Sequence, residues 1–504
     1  MSRILSVHES GGTGVIVSTE VSLSNGLPAI VLVGYGGKSL DESKERIRSA
    51  FASSKLSLPR KRITVNISPS DVPKDGAHYD LAIALSVLQE AKMIPAFKQD
   101  VVIFGEIGLD GKIKPVRGIL GKLLVAIKQG YNHFIIPDLN VPQASLLGGI
   151  HIMSASTLKD TYTQLASQES IFKNSSETND TAANKRHSTY AGTDFAEVIG
   201  QARAKRAFEI AAAGNHNILL NGPPGVGKSM LAKALPSIMS PPDREEVITM
   251  THLHSLTGTD VTELMSMRPF RSPHHSSSDV SIIGGGQRPK PGEVSLAHGG
   301  VLFLDEFPEF RRSTIESLRQ PLEDGIVTVA RAKDSATYPA RFMLVATKNP
   351  CPCGFYGSSK SCSCSPIELQ RYQKKLSGPI MDRIDIHVTV DNVEHKKLLT
   401  TSKSNEKSEA VRARVVAAQQ KQASRLGGNN RNAYMNNRDI KKHLVISPEA
   451  KEFIDNAAEK LDISARVYMK TIKLAATIAD LDNAETITIA HLAESLQYRP
   501  IATN

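Results

Sequence analysis

The chain has 504 residues, long for one hydrophobic core, so two or three domains are expected. Its 40% apolar content is ample for globular packing, yet no apolar run approaches the roughly 18 residues that a membrane helix needs. All four cysteines fall between Cys351 and Cys364 and the first residues lack an apolar signal core, which points to a cytoplasmic location; the +10 net charge is compatible with a nucleic-acid partner without indicating one.

In residues 1–166, apolar runs at Gly14–Val17, Ala29–Val33 and Ile63–Ile67 read as strands. They alternate with helical patterns over Ser39–Ser53, Tyr79–Ala91 and Ile119–Gln129, predicting an α+β unit with its own core. Two stretches resemble the proteolytic domain of Lon. Pro73-Lys74-Asp75-Gly76-Ala77-His78-Tyr79-Asp80 is similar to the stretch that carries the nucleophilic serine there. Pro115-Val116-Arg117-Gly118-Ile119-Leu120-Gly121-Lys122-Leu123-Leu124 is similar to the one carrying the partner lysine, which falls at Lys122. His78 stands where the serine belongs, and imidazole cannot form the acyl-enzyme ester. The resemblance therefore implies a Lon-like fold of the ribosomal S5 domain 2 type, inactive as a protease, with Lys122 a lysine of the helix surface. Residues 167–190 are polar, with little to bury, and read as a flexible linker.

Residues 191–400 begin with an amphipathic pattern over Ala202–Ala213 and a buried-strand run, Ile218–Leu220. Asn221 then leads into Gly222-Pro223-Pro224-Gly225-Val226-Gly227-Lys228-Ser229 and a further helical pattern. Strand, glycine-rich loop, Lys-Ser and helix is the context of a phosphate loop, whose backbone N–H groups cradle an anion. Lys228 would reach the β- and γ-phosphates of ATP, and the Ser229 hydroxyl would ligate Mg2+. A second apolar strand, Val301–Leu304, ends in two acids. Asp305 would hold Mg2+, and Glu306 would orient and deprotonate the attacking water.

Later segments carry a family resemblance. Arg268-Pro269-Phe270-Arg271-Ser272-Pro273-His274-His275-Ser276, Gly284-Gly285-Gly286 and Pro291-Gly292-Glu293-Val294-Ser295-Leu296-Ala297-His298 join the elements above. Together these resemble the magnesium-chelatase-like AAA+ ATPases of the ComM/YifB family, over nearly the whole chain. The resemblance implies a P-loop AAA+ core, a parallel sheet with helices on both faces, followed by a helical lid over residues 401–504. It implies that Val198 and Ile199 pack against adenine, and that Asn349, after the strand Phe342–Thr347, positions the lytic water or touches the γ-phosphate. It places Arg383, in Pro379-Ile380-Met381-Asp382-Arg383-Ile384-Asp385, as an arginine finger acting on a neighbouring subunit. Arg466 falls at the sensor 2 position of the lid, while Lys473 and Ala476 stand where the family often carries arginines. Short strands at Gly325–Arg331 and Ser335–Tyr338, joined by Ala332-Lys333-Asp334, resemble the hairpin before sensor 1 in one AAA+ clade. Adjacent His274 and His275 read either as a metal pair or as loop-packing or phosphate-contacting residues.

Cys351-Pro352-Cys353 and Cys362-Ser363-Cys364 leave two readings open: a structural Zn2+ site of four thiolates, or four reduced thiols in an ordinary loop. Helical patterns continue over Glu409–Ser424, Arg438–His443, Pro448–Leu461, Ala465–Ala479 and Ile489–Gln497. The resemblance implies an ATP-hydrolysing homo-oligomer, a hexameric ring, remodelling branched or single-stranded DNA by branch migration. Its rivals are a chelatase motor, for which the chain supplies no porphyrin-binding part, an ATP-dependent protease, opposed by His78, and a nucleotide-gated DNA scaffold.

Overall fold

The computed structural model describes residues 3–10, 13–34, 38–71, 74, 76–167, 172–174, 192–257, 264–286, 289–330, 335–357, 360–391 and 406–500. Most of the expected linker lies outside them, as do Pro73, Asp75 and the stretches 331–334 and 392–405. Two compact units are present. One comprises Met1–His187, Asp243–Ser266 and Ala330–Tyr338; the other comprises Ser188–Pro242, Met267–Val329 and Pro339–Asn504.

In the first unit eight strands form one mixed sheet: β1 (Ile4–Ser10), β2 (Thr13–Ser24), β3 (Ala29–Val33), β4 (Arg62–Ser68), β5 (Val101–Ile103), β6 (His133–Pro137), β7 (His151–Ala155) and β8 (Lys173–Asn174). Their order is β8-β7-β6-β5-β1-β2-β4-β3. Strands β1, β5, β6 and β7 run parallel, while β2 is antiparallel to both β1 and β4. Side chains alternate across a pleated strand, so a sheet covered on both faces needs apolar residues at successive positions. Ile4, Val101, Ile103 and Ile135 enter one core, and Leu5, Val102, Phe134 and Ile136 the other. Helices Lys38–Ser53 and Asp80–Glu90 supply the first core, and Ile119–Lys128 the second.

The helix Arg244–Thr257, from within the sequence block read as the ATPase, belongs to this unit. Its Ile248 packs on the second core, and Arg244 Nε donates to the Leu146 carbonyl at 2.8 Å.

The second unit is built on five parallel strands: β9 (Ile218–Asn221), β10 (Phe270–Arg271), β11 (Val301–Leu304), β12 (Met343–Lys348) and β13 (Ile386–Thr389). Their order is β10-β11-β12-β9-β13. All residues of β11 are buried, as are Ile218–Leu220 and Met343–Thr347, which is why these strands read as unbroken apolar runs. Ala202–Gly214 and the long tail helices Ser408–Leu426 and Ala465–Leu481 share the core beside this sheet through Phe208, Val411, Val415, Leu474 and Ile478. The tail helices begin where capping chemistry dictates. Ser447 accepts from the Ala450 N–H ahead of Pro448–Lys460, and Ser464 from the Val467 N–H ahead of Ala465–Leu481. Among the described residues no helix is long and apolar enough to cross a membrane.

Candidate nucleotide site

The loop from Gly222 to Gly227 leaves the end of β9, between β12 and β13. Val226 is buried in the core beneath it and pins the loop down. Gly225 and Gly227 have φ of +82° and +90°, and a Cβ at either would meet nothing within 4 Å. The backbone there takes a conformation that favours glycine and borders open space, a concavity suited to an anion. Lys228 turns back over the loop. Its Nζ donates to the carbonyls of Gly222 and Pro223, the latter at 3.0 Å, and to Asn349 Oδ1 at 2.9 Å. Burial pushes the Lys228 pKa down, against the opposing pull of Asp305 and Glu306.

The acids sit at the end of β11. Parallel register pairs Leu304 with Ala346, which brings Asp305 beside Thr347. Thr347 Oγ1 donates to Asp305 Oδ1 at 2.5 Å and accepts from the Glu306 N–H at 2.9 Å. Ser229 Oγ donates to the other oxygen, Asp305 Oδ2, at 3.0 Å. Hydroxyl and carboxylate thus converge as the hard oxygen donors that Mg2+ prefers. Glu306 has φ +53° and ψ +48°, a left-handed conformation that costs a residue with a Cβ about 1–2 kcal/mol. Its side chain is exposed and lines, with Asn349, an open cleft of about 530 Å³. Lys228, Ser229, Asp305, Glu306 and Asn349 therefore come together at the C-terminal ends of three adjacent parallel strands, where open α/β sheets bind ligands.

Comparison with known proteins accords with this geometry. Family models described as "Magnesium chelatase, subunit ChlI", "Subunit ChlI of Mg-chelatase" and "Magnesium chelatase, subunit ChlI C-terminal" match residues 194–398, 19–140 and 405–499. Competence protein ComM of Haemophilus influenzae is 39% identical over 507 residues, covering 98% of this chain and 97% of the relative. The chain belongs to the ComM/YifB family of magnesium-chelatase-like proteins. YifB of Salmonella typhimurium, described as uncharacterized, is 37% identical over 500 residues, with 98% and 97% covered. Membership supports ATP-driven AAA+ motor activity.

The ComM/YifB signature segments pack locally. Arg271, in the edge strand β10, makes a two-pronged ion pair with Glu293 at 2.6 and 2.7 Å. His274 Nδ1 lies 2.7 Å from Ser276 Oγ, and the His275 ring meets Phe310 edge-on, so both histidines have loop partners. Val198 is buried in the core and Ile199 is half-buried beside it. Arg383 differs from a guanidinium presented at the surface: its side chain is 6% exposed and is held by Glu323 and the Pro379 carbonyl. Arg466 reaches the same carboxylate, Glu323 Oε1, at 3.0 Å. The two arginines are thus gathered on Glu323, and the five residues around the phosphate loop form a separate group. Ala476 is buried, and Lys473 donates to the Ala433 carbonyl at 3.1 Å. That helix face is therefore committed inside the chain.

Thr347 and Glu323 had no legible signal, since each matters through a neighbour that only the fold supplies. The same holds for Asp385, which Lys470 meets at 3.4 Å and His216 at 3.3 Å. Burial pushes the Asp385 carboxyl up, but these partners hold it well below the usual range.

The four cysteines follow β12 directly, and their sulfurs all lie within 4.8 Å of one another, a set able to coordinate a metal ion.

A stretch of the chain is 31% identical over 144 residues to Lon protease of Fervidobacterium nodosum, covering 26% of this chain and 16% of the protease. In the first unit His78 is half-buried, with Nε2 3.2 Å from the Val7 carbonyl, and desolvation of its ring pushes its pKa far below the usual value. Lys122, expected on a helix surface, is instead enclosed with a side chain 11% exposed. The reason is Glu9, whose buried carboxylate it meets at 3.5 Å and which His252 also meets, at 3.3 Å.

Proposed function

We propose that the chain is an ATP-hydrolysing motor of P-loop AAA+ architecture with a helical lid, working in the cytoplasm as a homo-oligomeric, hexameric ring on branched or single-stranded DNA. The observation that carries the nucleotide chemistry is the convergence of Lys228, Ser229, Asp305, Glu306 and Asn349 around an open glycine loop.

In this reading the N–H groups of residues 222–229 take the ATP phosphates, with Val198 and Ile199 toward adenine. Lys228 exchanges its bonds to the loop carbonyls for the β- and γ-phosphate oxygens. Ser229 and Asp305 hold Mg2+, which supplies neutralisation of phosphate charge. Thr347 fixes Asp305 by one hydroxyl and leaves its other oxygen to the Ser229 side. Glu306 takes a proton from the attacking water, and Asn349, released by Lys228, orients that water. Arg383 and Arg466 join the chemistry after exchanging Glu323 for phosphate, Arg383 on the neighbouring subunit. The cysteine set holds a structural Zn2+.

The DNA role rests on the family resemblance and on a relative named a competence protein, and the +10 net charge is compatible with it. Branch migration of joint molecules is the activity it implies. Protease chemistry is disfavoured because His78 replaces the nucleophile and Lys122 is committed to Glu9.

Nucleotide binding and steady-state turnover of two variants test the site. Lys228→Ala is expected to abolish ATP binding; Glu306→Gln is expected to bind ATP and to hydrolyse it at least about a hundredfold more slowly. Wild-type turnover in either variant would break the assignment.

A further inference from the structure

The cysteine loop lies against the nucleotide site, and its geometry goes beyond a passive staple. Sγ–Sγ distances are 3.3 Å for Cys351–Cys353, 3.5 Å for Cys353–Cys362 and 3.7 Å for Cys351–Cys362. A tetrahedral ion with sulfurs at about 2.3 Å sets them about 3.8 Å apart, so this spacing suits one ion of that size. Two backbone donors already point at sulfur: the Tyr356 N–H to Cys351 at 3.3 Å and the Cys353 N–H to Cys364 at 3.4 Å. Donors of this kind stabilise thiolates over thiols, the form that binds metal.

Two connections run from this cluster to the nucleotide machinery. Cys351 follows Asn349 by two residues, and Asn349 is the side chain that Lys228 holds at 2.9 Å. Gly354, between the cysteine pairs, has φ +85°, and a Cβ on it would come within 2.7 Å of Pro224 Cδ in the phosphate loop. The backbone at Gly354 therefore lies directly on that loop.

We propose that Cys351, Cys353, Cys362 and Cys364 bind one Zn2+ tetrahedrally, and that the ion is a positioning device for ATP hydrolysis: it clamps the chain after Asn349 and braces the phosphate loop through Gly354 and Pro224. The second half rests on the ATPase reading; the first does not. Zinc loss loosens both the water-orienting asparagine and the phosphate cradle without removing any group that touches ATP.

Full-length protein purified without chelator is measured for metal content, ATP turnover and hydrogen exchange of residues 221–229. One zinc per chain is expected, and Co2+ in its place should give the visible bands of a tetrahedral thiolate. In Cys362→Ser/Cys364→Ser, zinc should be lost, kcat should fall at least tenfold with a smaller change in KM, and loop exchange should speed up at least tenfold. Gly354→Ala keeps all four cysteines, so it should keep its zinc while lowering kcat and speeding loop exchange. Zinc well below one equivalent, or iron in its place, overturns the metal assignment. A zinc-free variant with wild-type loop exchange overturns the positioning role, and the exchange readout holds even if the wild type hydrolyses no ATP. Should the double cysteine variant fail to fold, Gly354→Ala decides the matter: wild-type exchange and kcat there overturn the brace.

Discussion

Thr347 is buried between the two acids, and one hydroxyl serves both. It donates to the carboxylate proposed for the metal and accepts the backbone N–H of the residue proposed as the base. Thr347→Val keeps the shape and removes both bonds. A hydrogen bond to a charged group is worth about 2 kcal/mol, so kcat should fall about thirtyfold while ATP affinity changes by less than about threefold. Single-turnover kinetics beside equilibrium nucleotide binding separates the two effects. Equal losses in binding and turnover would mean that Thr347 acts on the loop as a whole rather than on the acids. Strain at Glu306 belongs to the same few atoms, because its left-handed backbone aims the carboxylate into the open cleft instead of along the strand.

Among the elements, the two long tail helices show how a polar group can join secondary structures. Asp480, its side chain 2% exposed, takes two bonds from Arg425, at 3.0 and 2.8 Å, and one from Asn432 at 2.8 Å. That ties helix Ser408–Leu426 to helix Ala465–Leu481 and anchors the asparagine-rich loop between 429 and 437. Arg425→Met leaves the carboxylate buried without its charge partner and should cost about 3 kcal/mol, read as a lower chemical-denaturation midpoint. Arg425→Met/Asp480→Leu should recover part of that loss. An unchanged midpoint for the single variant would contradict the joint.

The same elements mark what can be read from sequence. Helices such as Pro448–Lys460 are legible because Ser447 and Pro448 announce their start, and β11 because a doubly covered parallel strand must be apolar throughout. Lys228, Ser229, Asp305 and Glu306 are legible as residue types at the ends of such strands. The Thr347 link is not, since it depends on β11 pairing with β12, strands that lie about forty positions apart in the chain. Helix Arg244–Thr257 reads as part of the ATPase block for a similar reason: its actual partners, Leu146 and the core around Ile248, lie far upstream in the chain. Lys122 reads as a surface lysine because nothing local reveals Glu9.

At the scale of the molecule, one unit carries the candidate nucleotide site with its helical tail, and the other an eight-stranded sheet with His78 and a Glu9–Lys122–His252 cluster. Burial pushes the Glu9 carboxyl up, yet His252 and Lys122 hold it below its usual value. We propose that the phosphate-loop unit drives work on DNA. This claim is tested most directly by ATP hydrolysis in the presence of single-stranded, duplex and four-way-junction DNA, with junction displacement followed in the same reactions. Junction or single-stranded DNA is expected to raise turnover severalfold, and the junction to be resolved only with ATP and not by Glu306→Gln. Turnover indifferent to all three DNA forms, with the junction left intact, would contradict the claim.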